Sequence, residues 1–123
     1  MTKDLDAGPI YIKKIINLRG TLNEIFERMS IIILEMIKIL MVKKIHPKKQ
    51  RGKVFKFIRL KENNSEIKDE INIQKIYDKI RMLDADCYPN AYIKINNFKF
   101  LFSKPILKKN SIICNAKILK IKK

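Results

Sequence analysis

Acidic residues are scarce in this 123-residue sequence. Twelve Asp and Glu stand against 28 Lys and Arg, a formal net charge of +16 at pH 7. Cysteine appears twice, at Cys87 and Cys114, without CxxC spacing. Such cysteines read as reduced thiols of a cytoplasmic protein rather than as a disulfide frame or metal site. Histidine appears once, at His46, which leaves no His-rich metal centre, so no metal is expected. The few glycines are dispersed, and no glycine-rich phosphate loop, GxSxG or HExxH is present. The N-terminal MTKDLDAG is polar and lacks the apolar core of a secretory signal. No apolar run is long and uncharged enough to span a bilayer, so no membrane partner is expected.

Arginine is scarce as well. Only Arg19, Arg28, Arg51, Arg59 and Arg81 accompany the lysines, and isoleucine and asparagine are inflated alongside lysine. That trio reads as compositional drift rather than selection for phosphate forks, which favour arginine. The charge therefore predicts a solvated basic surface with loose polyanion affinity, and a basic RNA-binding module stands as the alternative.

What the sequence does have is one strongly patterned run, Thr21 to Lys43. Leu22, Ile25, Phe26, Met29, Ile33, Met36 and Leu40 recur at three- and four-residue steps and share one helical face. Thr21 with Glu24 reads as a capping box, in which the hydroxyl takes a free backbone N–H and the carboxylate reaches back. Gly20 frees the entry turn, Lys43 and Lys44 suit the negative end of the dipole, and His46-Pro47 closes the helix. From Ser30 onward the run is apolar nearly all round. It predicts a buried core helix with more apolar surface than this chain readily covers.

Around it, Ile10 to Ile16 reads as a short strand by its β-branched and aromatic content. Lys44 to Gly52 is a basic, Pro- and Gly-containing connection, which puts a domain boundary between segments 1–44 and 45–123. Val54 to Leu60 alternates weakly as a strand, and Lys61 to Asn72 is a polar loop. A second helix covers Ile73 to Leu83, with Asn72 as its cap. Ala91 to Ile95, the Asn96-Asn97 turn and Phe98 to Phe102 form a hairpin suited to a type I′ turn. Ser111 to Ile121 is a last strand. The fold class expected is α+β: a strand and long helix like the edge of an α/β Rossmann-like domain, then a small open-barrel-like domain of a helix and antiparallel strands.

The chemistry-bearing residues are two carboxylate pairs, Asp4 with Asp6 and Asp84 with Asp86, each weak alone because Asp commonly serves turns and caps. Their context carries more. Leu5-Asp6-Ala7-Gly8-Pro9-Ile10-Tyr11, then Leu18, Gly20, Glu24-Ile25 and Ile80-Arg81-Met82-Leu83-Asp84-Ala85 leading to Tyr88-Pro89-Asn90-Ala91-Tyr92, resembles the C-terminal half of the 10-formyltetrahydrofolate-dependent formyltransferases. That family includes methionyl-tRNA and amino-sugar formyltransferases, and the wording here looks closer to the sugar-acting branch.

The resemblance implies transfer of formyl from 10-formyltetrahydrofolate to a primary amine, on a nucleotide-linked amino sugar or, as the alternative, on an aminoacyl-tRNA. It implies a catalytic role for Asp6, as the carboxylate of an Asn, His, Asp trio that orients the base while the oxyanion is stabilised. The family's Asn-x-His lies upstream of that motif and His46 lies downstream, so the 123 residues alone are expected to be inactive. An N-terminal formyltransferase half, or self-association, is the expected cover for the long helix. Phe55-Lys56-Phe57-Ile58-Arg59 with Ser65 resembles a basic stretch of the sugar-acting enzymes, which implies Lys56 and Arg59 as diphosphate contacts and Tyr88 as a base-stacking residue.

Overall fold

The computed structural model describes residues 7–53, 55–58, 61–70 and 72–121. The chain is α+β, with two α-helices and a three-stranded antiparallel sheet among the described residues. It divides into two compact units: unit 1 is Met1–Leu18 with Phe26–Ile58, and unit 2 is Arg19–Ile25 with Arg59–Lys123.

Helix α1 is Leu22–Val42, and its first turn belongs to unit 2. The expected capping box is present. The Thr21 backbone N–H donates to Glu24 Oε2 at 2.7 Å, and the Glu24 N–H donates to Thr21 Oγ1 at 3.4 Å. Gly20 makes room for it. Its φ of +89° is costly for any residue with a Cβ, and a Cβ there would lie 2.0 Å from Glu24 Oε2. Leu22 and Ile25 are buried, but beyond them α1 is not the buried core helix expected. Ile31, Leu34, Met41 and Val42 are exposed, the last two by more than four-fifths. The periodicity made the helix, but its apolar stripe is left uncovered within these residues.

Unit 1 also lacks the strand expected at Ile10–Ile16. One antiparallel bridge stands in its place: Ile10 N–H to Lys48 O at 2.8 Å, and Lys48 N–H to Ile10 O at 2.9 Å. β-Branched content favours an extended chain but forms a strand only where a second chain runs alongside, and here that contact is one residue pair long. Residues 55–58 likewise carry no strand, and Phe55, Phe57 and Ile58 are exposed.

Unit 2 holds the core. Helix α2, Ile73–Met82, is capped as expected by Asn72, whose side chain accepts from the Gln74 N–H at 2.8 Å. Strands β1 (Tyr92–Ile95), β2 (Phe98–Leu107) and β3 (Ile112–Lys120) follow in sequence order, each antiparallel to the next. Ile80, Leu83 and Ala91 form the buried centre, with Ile67, Ile76, Phe102 and Ile112 against it. The hairpin turn differs from expectation in one respect. Positive φ occurs at Asn96 (52°) and not at Asn97, the pattern of a type II′ rather than a type I′ turn. The polar loop also holds regular structure in its first half. Glu62–Ser65 is a 3-10 turn with Ser65 buried, and the Ile67 N–H reaches Tyr92 O at 2.8 Å.

β2 carries a bulge. Its register with β3 pairs Ser103 with Asn115 and then Ile106 with Ile113, so one extra residue sits on the β2 side. Lys104 there has φ +50°, and its N–H donates to Asp84 Oδ2 at 2.7 Å. The extra residue restores Leu107 and Ile112 to the face of Phe102, while Ile106 is turned outward and is 54% exposed.

Candidate nucleic-acid interface

The registers place Tyr92 and Lys94 of β1, Lys99 and Leu101 of β2, and Lys117 and Leu119 of β3 on one face of the sheet. The opposite face carries Phe102 toward the α2 core. Lys94 stands directly across from Lys99, a like-charge pairing that by itself destabilises a sheet. Two features offset the repulsion. The Tyr92 ring, 1% exposed, lies 4.0 Å from Lys99 Nζ and 5.6 Å from Lys94 Nζ, so its electron-rich face meets both cations. Glu62 accepts a hydrogen bond from Lys99 at 2.6 Å. That bond, and then the charge of Lys99, hold the Glu62 carboxyl below its usual range. Lys94 and Lys117 remain exposed on this face. The arrangement is a flat basic surface over a fixed aromatic, suited to phosphates rather than to a small enclosed ligand.

Elsewhere in unit 2, Glu66, Lys68, Asp69, Glu70, Lys75 and Lys79 line a hollow of about 340 Å³. Lys79 donates to Glu66 O and to Glu70 Oε1, and Lys68 pairs with Glu66 at 3.1 Å. Hydrogen bonding to Lys79 lowers the Glu70 pKa, and hydrogen bonding to Glu66 raises that of Lys68. Lys79 thereby cross-links Glu66 and Glu70 to α2, and the hollow holds as many acids as bases.

Arg81 and Asp84, within the stretch that carried the family resemblance, also have structural tasks. Arg81 donates to Asp78 Oδ1 at 2.6 Å and to Gly20 O at 2.8 Å, and lies over Tyr77 at 5.8 Å. It thereby ties α2 to the turn that starts α1. Asp84 receives the bulge amide of Lys104, in keeping with the turn-and-cap habit of aspartate.

Of the site residues read from the sequence, Asp6 and Arg59 lie outside the described residues. Lys56 is exposed in unit 1, between Phe55 and Phe57, whose rings meet edge-on at 4.9 Å. Tyr88 belongs to unit 2 at the exit of α2, where its N–H donates to Ala85 O at 3.0 Å and its side chain is 44% exposed. Sequence reasoning missed the Lys94, Lys99 and Lys117 face. The alternation of YIKI and FKFLF offered a signal, since a lysine at every second place of facing strands must gather on one side. Among the described residues no cluster of His, Cys, Asp and Glu fits a metal ion, and no helix is long and apolar enough to cross a membrane.

Residues 62–119 match the family described as the methionyl-tRNA formyltransferase C-terminal domain. Among solved structures, the chain is similar to the methionyl-tRNA formyltransferase from Clostridium thermocellum, with 40% sequence identity and a TM-score of 0.92. The match covers 98% of this chain and 53% of that one, so the chain spans about half the length of that relative. No curated protein matches.

Proposed function

This chain belongs to the formyltransferase family, carrying the methionyl-tRNA formyltransferase type of C-terminal domain over residues 62–119, and from that premise we propose that it serves formylation of an aminoacyl-tRNA. The observation that carries this reading is the 40% identity and shared fold over nearly the whole chain with a methionyl-tRNA enzyme. The exposed Lys94 and Lys117 of the basic sheet face support it as a surface for RNA phosphates. The amino-sugar substrate suggested by the LDAGPIY wording has no such support, so the tRNA reading replaces it.

In the proposed reaction the methionyl amine attacks the formyl carbon of 10-formyltetrahydrofolate. A tetrahedral oxyanion forms, the carbon–nitrogen bond to the folate breaks as the folate nitrogen takes up a proton, and the attacking amine loses one. Asp6 is the proposed orienting carboxylate for the base that takes that proton. Lys56 and Arg59 are proposed phosphate contacts and Tyr88 a base contact. The exposed aliphatic face of α1 is proposed to be covered by further formyltransferase chain or by self-association.

The test is a titration of the chain with a methionyl initiator tRNA and with an unrelated RNA of equal length, at two salt concentrations. The tRNA is expected to bind at least about tenfold tighter near physiological salt. Equal affinity for both RNAs, falling steeply with salt, would reduce the charge to compositional drift and sink the tRNA reading.

A further inference from the structure

Unit 1 contains a groove of about 1110 Å³, lined by part of the basic 44–52 connection and by Ile10, Tyr11 and Lys13. Two segments of the chain form it, held side by side by the Ile10–Lys48 backbone pair and by Gln50 Nε2, which donates to Gly8 O at 2.8 Å. Lys13 comes from one segment, and His46, Lys48, Lys49 and Arg51 come from the other. Among the described residues no carboxylate lines the groove. None of the five basic side chains forms a salt bridge among the described residues. The hollow in unit 2 is the control built into the same molecule, since it draws on the same lysine-rich composition yet balances three acids against three bases. A drift in composition alone does not explain a concave surface holding four permanent cations and, among the described residues, no anion.

The opening is too large and too exposed for a single small anion, and exceeds the usual range of small-molecule pockets. Tyr11 lines it with a ring that is 53% exposed. A cationic trough with an accessible aromatic is the arrangement that follows a nucleic-acid backbone while stacking one base. We infer that this groove is an RNA contact in unit 1, with Lys13, Lys48, Lys49 and Arg51 on consecutive phosphodiesters and Tyr11 against a base. The choice of RNA as the polyanion rests on the tRNA reading above.

The experiment uses the full 123-residue chain and measures RNA affinity against salt for three proteins. One is the unaltered chain. The second carries Lys48→Gln, Lys49→Gln and Arg51→Gln, and the third carries Lys75→Gln, Lys108→Gln and Lys109→Gln, which remove the same charge from exposed places in unit 2. All six side chains are exposed, and circular dichroism verifies that both variants keep the fold. The groove variant is expected to lose about 2–3 from the slope of log K against log salt. Its affinity should fall at least about tenfold near physiological salt, while the unit 2 variant keeps most of both. Tyr11→Ala is expected to weaken binding without changing the slope.

Equal losses in the two triple variants would overturn the groove, because affinity would then track bulk charge. A tRNA preference left unchanged by the groove variant would remove the groove and leave the tRNA reading standing. A slope loss confined to the groove variant, with no preference for tRNA over the unrelated RNA, would keep the groove and remove the tRNA reading. Adhesion to anionic lipid vesicles with no affinity for RNA would overturn the inference altogether.

Discussion

Unit 2 contains every buried residue among the described ones, and unit 1 contains none. Both are rich in isoleucine and lysine, and both contain a helix with a clear apolar stripe. Ile80 on α2 is 2% exposed, because Leu83, Ala91 and the sheet lie over it, whereas Met41 on α1 is 82% exposed. Patterning therefore decides that a helix forms and which side is apolar, but only a second layer turns that side into a core. The apolar residues of α1 hold an unrealised contribution of roughly 1.5–3 kcal/mol for each large side chain fully covered.

The sharpest way to break this contrast is to cut into the covered side. Ile80→Ala is expected to cost about 2–5 kcal/mol, through lost burial and a cavity beneath Leu83 and Ala91. Urea unfolding reads it directly, and a loss below about 1 kcal/mol would show that the core does not lie where α2 meets the sheet.

A smaller effect is expected where α1 begins. Gly20→Ala forces a Cβ into the φ +89° turn and against Glu24, at a cost of about 1–3 kcal/mol. An unchanged unfolding midpoint would mean that the Thr21–Glu24 box does not hold this turn. The smallest change in stability, within about 0.5 kcal/mol, is expected for Leu34→Glu with Met41→Glu on the exposed face of α1. The same pair should reduce self-association in sedimentation and the binding of dyes that report apolar surface. An unaltered chain that sediments as a dye-silent monomer would show that the uncovered helix drives no association.

Much of unit 2 was legible in its sequence, because local chemistry and tertiary contact agree there. Asn72 caps α2, Asn96 takes the positive φ of the hairpin, and the alternation in FKFLF fits a sheet with two unlike faces. Unit 1 misled for the opposite reason. Ile10–Ile16 has the composition of a strand, and Phe55–Ile58 the alternation of one, but pairing is a property of two segments and neither finds a full partner in these residues. The basic sheet face and the groove were illegible in a different way. The sheet face gathers lysines from three strands, the groove sets Lys13 beside the basic 44–52 connection, and a lysine-rich background hides which of them will meet. The resemblance in IRMLDA was readable from the letters, but its local physical content, Arg81 on Gly20 and Asp84 on Lys104, emerges only from residues some 61 and 20 positions apart.

The bulge at Lys104 has a consequence for how this protein tolerates change in length. Its single surplus residue decides which half of the side chains beyond it face inward, so it works like a reading frame for the end of β2. Removing one residue there would turn Ile106 into the core and Leu107 out of it, inverting the strand's end without altering a single hydrophobic residue. The Lys108–Ser111 connection has no such duty, because only its ends are bonded together, from the Lys108 N–H to Ser111 O at 2.8 Å. Insertions and deletions among descendants of this sequence should therefore collect in the loop and spare the bulge. Asp84, which receives the amide that the bulge leaves unpaired, would then be kept as a guardian of strand parity, whatever reaction the protein serves.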